Sequence, residues 1–272
     1  MLDRDRPEWQ LPDGVSRGTW DYFGLETIAT EYDDYFRDHP LLELDIAWVN
    51  EELKKQGLHE TSAASPPLIA DLGCGTARAL ASIVLPNARL LAIDMSQNML
   101  EQASAKLQTL PNSSAQLRMN LVHLEALRDR TIDTAICLFS SYGMIRGRQH
   151  RRAMLGHVQR VLKTNGRFLL HVHNRWSSLR DPGGINWLIR SYLRSLYDKN
   201  WEWGDRIYNY RGLPTMFLHS FSIRELKSDL HHAGLRIQQL RYLDIRSANY
   251  LSNPLLLGNF RAGGFFLTLA PN

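Results

Sequence analysis

The stretch Leu68-Ile69-Ala70-Asp71-Leu72-Gly73-Cys74-Gly75-Thr76-Ala77-Arg78, with Leu90-Leu91-Ala92-Ile93-Asp94 after it, decides the fold. Leu68 to Ala70 is a short apolar run with no helical period, as expected for a strand buried on both faces. Gly73 and Gly75 follow at once, a spacing that lets the backbone turn sharply and lie close to a ligand that a Cβ would displace. Ala77 to Leu85 has the composition of a helix, and Arg89 to Ile93 reads as a second apolar strand ending in Asp94. The unit is strand, glycine loop, helix, strand, with a carboxylate 19 residues after Gly75. At the tip of a second strand such a carboxylate is placed to accept hydrogen bonds from both hydroxyls of a ribose.

A dinucleotide site calls for G-x-G-x-x-G, and here Arg78 stands at the third glycine. Its bulk would disturb close helix–strand packing. Asp71, just before the loop, is also foreign to that fingerprint. Asp-x-Gly-x-Gly (Asp71 to Gly75) instead resembles motif I of the class I S-adenosylmethionine-dependent methyltransferases, and Asp94 matches that family's ribose-binding acid. One departure is Ala77, where the family often carries a further glycine. The resemblance runs from about Pro67 to Pro271. It implies S-adenosylmethionine as cofactor and S-adenosylhomocysteine as product, in a Rossmann-like α/β fold. The expected architecture is a seven-stranded, mostly parallel sheet with helices on both faces, an N-terminal helical lid and a cap inserted after the fifth strand.

On this pattern Asp71, Gly73, Cys74 and Gly75 form the cofactor loop, with Asp94 and Met95 at the ribose. Asn120 and Leu121, after a third strand from Gln116, stand where the family bonds adenine; Asn120 replaces the usual aspartate, and its amide oxygen can still accept from an amino group. Ile132 to Phe139 is the fourth strand, with Phe139 beside the cofactor. Phe139-Ser140-Ser141-Tyr142-Gly143 lacks the Asn/Asp-Pro-Pro-Tyr/Phe of enzymes that methylate exocyclic amino groups, which argues against that chemistry.

Elsewhere the chain divides by pattern into parts of one methyltransferase domain. Residues 1–19, polar with Pro7, Pro12 and Gly14, read as a loosely held arm. Residues 20–63 are helical in two pieces broken by Pro40 and form the lid. Glu31-Tyr32-Asp33 resembles a Tyr-Asp found over the cofactor in the family, which makes Tyr32 a cofactor candidate; docking of the helix on the sheet is the alternative. Thr61 to Pro67 is a Ser/Ala/Pro linker, and residues 64–174 are the cofactor-binding core. Within the core, Gly147 to Lys163 is an amphipathic helix with its arginines outward, and Arg167 to His173 is strand five.

Residues 175–214 break the rhythm with Trp176, Trp187, Trp201 and Trp203, four tyrosines and six arginines. An insertion there sits above the carboxyl ends of the strands, where open α/β sheets bind ligands, so its aromatics form either a substrate site or a small core of their own. Residues 215–272 complete the sheet, with Ser222 and Glu225 as a capping box and Gly263 to Ala270 as the last strand.

With 272 residues, 44% hydrophobic and 22% charged, the chain has an ordinary globular composition. Cys74 and Cys137 are its only cysteines, too few for a disulfide framework, so a reducing, cytoplasmic setting is expected. No apolar run approaches 18 residues and the N-terminus is charged from Asp3 to Arg6, so neither a membrane partner nor a signal peptide is expected. The net charge of +4 does not by itself argue for nucleic acid.

Methyl transfer from a sulfonium leaves the protein to bind, orient and keep the site dry. His171 and His173, two apart on strand five, are candidates for a base or a substrate contact, and Tyr142 for lining the acceptor site. No third ligand accompanies His-x-His, so no metal is expected. Two rivals stand beside a small-molecule acceptor. Arg146, Arg148, Arg151 and Arg152 could meet the phosphates of RNA, though no appended RNA-binding module is visible. The glycine loop would also serve a regulatory module that binds S-adenosylmethionine without turnover.

Overall fold

In a computed structural model, residues 6–58, 65–244, 247 and 249–272 are described. The quoted stretch forms β1 (Leu68–Leu72) and β2 (Arg89–Asp94), paired in parallel, with Leu68 opposite Arg89 and Leu72 opposite Ile93. β3 (Ser114–Arg118) lies outside β2, while β4 (Ile132–Cys137) and β5 (Leu162–His173) lie on the other side of β1. All of these neighbours run parallel. β6 (Asp205–Tyr210) and β7 (Leu213–His219) form a separate antiparallel hairpin. β8 (Leu235–Asp244), the two-residue β9 (Asn249–Tyr250) and β10 (Gly264–Pro271) finish the main sheet in the order β3-β2-β1-β4-β5-β10-β8-β9. The sheet is therefore eight-stranded rather than seven-stranded, the extra member being β9 on the edge of β8. The strand order reverses at β1, with β2 and β3 added on one side and β4 and β5 on the other, so the crevice between β1 and β4 opens at their carboxyl ends.

Alternating residues of the central strands feed two apolar layers. Leu72, Cys137, Phe168, Leu170 and Phe265 pack under α7 (Arg148–Val161) and α9 (Ile223–His232). Ile69, Ala92, Ile136, Leu169 and Phe266 face α4 (Pro40–Lys55) and α6 (Gln97–Leu107). Trp48 of α4 stacks on Phe266 at 4.2 Å and 11°. Pro40 opens α4 at its first turn, where a missing N–H costs nothing. What was expected as one earlier helix is three short ones: α1 (Arg17–Gly24), α2 (Glu26–Thr30) and α3 (Tyr32–Tyr35).

Other expectations need correction. The helix expected over Ala77 to Leu85 is one turn, α5 (Arg78–Ala81), because β-branched Ile83 and Val84 are followed by Leu85, which precedes Pro86. The arm is not loose from Pro12 onward: Ser16 caps α1 by accepting from Thr19 N–H, and Gly18 and Thr19 are buried. Gly18 lies so close to β7 that an added Cβ would fall 2.1 Å from the Thr215 carbonyl oxygen. The boundary set at 214 falls inside β7, and the insertion runs from Arg175 to the end of the hairpin at His219. It holds a 3-10 turn (Arg175–Arg180), α8 (Gly184–Tyr197) and β6–β7. Asp3, most of the Thr61 to Pro67 linker and the lid beyond Leu58 lie outside the described residues, as does Ile245.

Candidate functional site

The glycine loop is held from below by β2. Gly73 N–H and Cys74 N–H both donate to the Ile93 carbonyl, at 2.8 and 3.0 Å. Gly73 and Gly75 have φ of +82° and +53°, and a Cβ on Gly73 would lie 2.9 Å from Ser141 Cβ. Ala77 takes φ 58° where the resemblance has a glycine, a left-handed conformation that carries some strain. Asp94 accepts from Gly75 N–H at 2.9 Å through one oxygen and from Ser96 N–H at 2.8 Å through the other. Burial pushes its pKa up, against the pull of those N–H groups. An ionised carboxylate has about four acceptor positions. Acceptor capacity remains beyond these bonds, and Asp94 lines a cavity together with Gly73, Gly75, Met95, Asn120 and Leu121.

The opposite wall comes from three places. Tyr22, Phe23, Tyr32 and Phe36 enter from the lid, Tyr208, Tyr210, Met216 and Leu218 from the hairpin, and Gly14, Val15 and Thr19 from the arm. Phe139 and His173 close the floor at the tips of β4 and β5. Tyr22 meets Tyr210 with ring centres 6.0 Å apart, and Phe36 meets Phe139 at 5.4 Å. Phe139 and Ser140 follow β4 in the left-handed region (φ 48° and 65°), a strained pair, and Ser140 Oγ accepts from His173 N–H.

Polar contacts tie this wall to the glycine loop and to α6, and join its parts to one another. Asp33 of α3 accepts from Thr76 Oγ of the glycine loop at 2.7 Å and from Lys106 Nζ of α6. Arg211 in the hairpin turn pairs with Glu31 and lies over the Tyr35 ring. The turn itself, Arg211-Gly212, has positive φ at both positions, which suits a two-residue hairpin. At the hairpin base His219 is fully buried, with Nδ1 2.6 Å from Asp205 and Nε2 2.8 Å from Glu225. Both ring nitrogens face carboxylate oxygens, so the ring is held between Asp205 and Glu225. Burial alone would raise the Glu225 carboxyl, but His219, Arg175 and Arg151 hold it down at about 2. Glu202, His219 and Glu225 have ligand-type atoms within 4.8 Å of one another, yet Arg151 and Arg175 already occupy the two carboxylates.

The residues singled out from sequence separate clearly. Gly73, Gly75, Asp94, Met95, Asn120, Leu121, Phe139, Tyr32 and His173 meet at one cavity. Asp71 and Cys74 do not line it; both are buried under the loop, where burial raises Asp71 to about 7 and also raises the Cys74 thiol. Asn120 is already engaged, donating to the Asp13 carbonyl at 2.9 Å and accepting from Val122 N–H at 3.1 Å.

His171 and Tyr142 do not reach the cavity. His171 lies beneath it with Nδ1 2.8 Å from buried Asp45, because residues two apart on a strand share a face but not a depth. Tyr142 is fully buried in the other layer, stacked on Phe221 at 5.1 Å. His173, desolvated and beside His171 and His39, falls to about 3, which makes it neutral and a weak base. The arginines are not free either: Arg148 and Arg152 both bind Asp229 at 2.7 Å, and Arg151, expected outward, is wholly buried.

Sequence reasoning missed the hairpin, the arm and Asp33. The alternation of Tyr208 and Tyr210 ahead of Arg211-Gly212 was the available signal for the first. Of the insertion's aromatics, only those of the hairpin line the cavity. The tryptophans pack among themselves, Trp176 against Trp203 at 5.5 Å and Arg194 over Trp201 at 4.0 Å.

Comparison with known proteins agrees with this geometry. A family profile described as "Methyltransferase domain" matches residues 69–166. An uncharacterized 37.1 kDa protein in transposon TN4556 of Streptomyces fradiae is 30% identical over 132 residues, 47% of this chain and 36% of that protein. The chain thus spans about a third of that relative's length. An S-adenosylmethionine-dependent methyltransferase from Clostridium acetobutylicum has a similar structure (TM-score 0.62, 16% identity, 90% of this chain and 98% of that one). So does the 1,6-didemethyltoxoflavin-N1-methyltransferase of Burkholderia thailandensis, solved with 1,6-didemethyltoxoflavin and S-adenosylhomocysteine (TM-score 0.59, 13% identity, 90% and 84%). A third is a Methanosarcina mazei S-adenosylmethionine-dependent methyltransferase (TM-score 0.57, 18% identity, 76% and 93%).

Proposed function

We propose that this chain, whose core is a class I S-adenosylmethionine-dependent methyltransferase domain, methylates a small, planar and mostly apolar acceptor. The observation that carries this reading is one cavity with two unlike walls: glycines and Asp94 on one side, lid and hairpin aromatics on the other. The first wall fits the cofactor. Nothing stands within 4 Å of an added Cβ on Gly75, and Asp94 keeps acceptor positions for ribose hydroxyls. S-adenosylmethionine supplies the activated methyl group when bound.

This chain's own residues bind, orient and exclude water. Asp94 and the loop hold the ribose end, while Met95, Asn120 and Leu121 flank the base. With Asn120 engaged by Asp13 and Val122, its part is to shape that end of the cavity rather than to replace the usual aspartate bond for bond. Tyr22, Tyr32, Phe36 and Tyr210 offer flat apolar surface to the acceptor. His173 orients the acceptor through a hydrogen bond and does not deprotonate it, since a ring with pKa of about 3 is a poor proton acceptor. The acceptor atom is therefore already nucleophilic.

The Burkholderia neighbour with 1,6-didemethyltoxoflavin bound supports a small-molecule acceptor. The burial of Cys74 and Cys137 as free thiols supports a reducing, cytoplasmic setting. The test is S-adenosylhomocysteine formation against planar small molecules and against RNA. Turnover is expected with the former alone and flat in kcat between pH 5 and 8. Turnover that requires RNA would overturn the acceptor class, and tight cofactor binding without turnover on any acceptor would favour a regulatory module.

A further inference from the structure

Helix α8 buries one narrow stripe and leaves a wider apolar one bare. Gly184, Leu188 and Ser191 pack inward, whereas Ile185, Ile189, Tyr192, Leu193, Leu196 and Tyr197 are 45–78% exposed. At about 100° per residue these six cover one continuous flank. The flank continues beyond the helix. Tyr192 meets Trp203 at 5.0 Å, Trp203 meets Trp176 at 5.5 Å, and Trp176 meets Phe260 of α10 (Gly258–Arg261) at 4.9 Å. Just before α10, Leu255, Leu256 and Leu257 stand 101%, 66% and 63% exposed. Bare apolar patches on soluble monomers rarely exceed a few hundred Å², and ten large apolar side chains go beyond that. Among the described residues nothing covers them.

Charge decides what would. Neither α8 nor the segment 253–262 contains an acidic residue. Arg180, Arg190, Arg194, Lys199, Arg206 and Arg261 surround the face, against Asp181 and Asp198, which are bound to Arg206 and Arg194. Six bases less two acids leave four positive charges, equal to the +4 of the whole chain. Two copies joined through this face would bring both surpluses together, which opposes a symmetric dimer. An anionic bilayer suits both features: apolar side chains enter the headgroup boundary while arginine and lysine reach lipid phosphates.

We infer that this face seats the protein on an anionic lipid surface, with α8 lying in the interface and the Leu255–Leu257 loop entering beside it. That no helix is long and apolar enough to cross a membrane concerns spanning, not lying on the surface.

The experiment is sedimentation of the full chain with vesicles of phosphatidylcholine alone and of phosphatidylcholine with phosphatidylserine. Binding is expected to be at least about tenfold tighter on the anionic vesicles and to weaken with salt. Leu193→Ser with Leu196→Ser should weaken it about tenfold or more. Leu255→Ser with Leu256→Ser, in a loop outside any helix, should do the same, and circular dichroism of each variant checks folding. Sedimentation with neither vesicle overturns the proposal, as does equal sedimentation with both. A concentration-dependent dimer lost in these same variants, without vesicle binding, would assign the face to a second copy and overturn it too.

Discussion

One wall of the cavity is made of strand ends, and the other is assembled from an arm, a lid and a hairpin that lie far apart in sequence. The first is fixed by backbone: Gly73 and Cys74 bond to Ile93, and Asp94 is clamped by two N–H groups. The second is fixed by side chains, through Asp33 with Thr76 and Lys106, Arg211 with Glu31, and the His219 network. A wall held by the sheet keeps its shape whatever occupies it. A wall held by charged contacts can differ among proteins without disturbing the fold, and on that wall acceptor choice would reside.

The largest expected effect tests whether the strand-end wall supports itself. Asp71 lies beneath it with a folded pKa of about 7 against an ordinary 3.8. The folded chain therefore holds a proton that the unfolded chain has lost between those values, and stability falls as pH rises through that window. Urea titrations of the cofactor-free protein should lose about 2–4 kcal/mol between pH 4 and 8. Asp71→Asn should remove that slope. A wild-type profile without it would mean that the loop's floor is wetter than it looks.

Next in size is Asp94→Ala, which separates the two walls. Hydrogen bonds to a charged group contribute roughly 1.5–3 kcal/mol, so cofactor affinity by calorimetry should drop about ten- to a hundredfold. Unchanged affinity in a folded variant would remove the cofactor assignment from this wall. The smallest effect belongs to Arg211→Gln. Glu31 is 62% exposed, and such pairs contribute about 0.2–1 kcal/mol. Acceptor KM should rise by up to about fivefold with cofactor affinity unchanged, and the reverse pattern would break the division between the walls.

The same division explains what could be read in advance. The sheet and its loop were legible because local rules set them: apolar runs, glycines at positive φ and an acid at a strand tip. Asp94, Met95 and Leu121 came from the resemblance, and all three line the cavity. Tyr142 and His171 were misplaced because depth along a strand end depends on what packs above it, here Phe221 and Asp45. The hairpin escaped because its tyrosines share a composition with the tryptophans beside it. Composition does not say which aromatics face a cavity and which face each other. Arg151 looked like solvated charge because its partners, Glu202 and Glu225, come from elements more than 50 residues away.

The arm bears on where this chain can be cut. Its polar, proline-marked sequence invites trimming to Trp20. Yet the Asp13 carbonyl accepts from Asn120, the Asp13 carboxylate lies 3.0 Å from His123, and Arg146 N–H donates to the Gly14 carbonyl at 2.8 Å. Gly14, Val15 and Thr19 line the cavity itself. A fragment starting at Trp20 would keep the sheet and lose a side of its cavity. The shortest span that preserves the enclosure begins before Asp13.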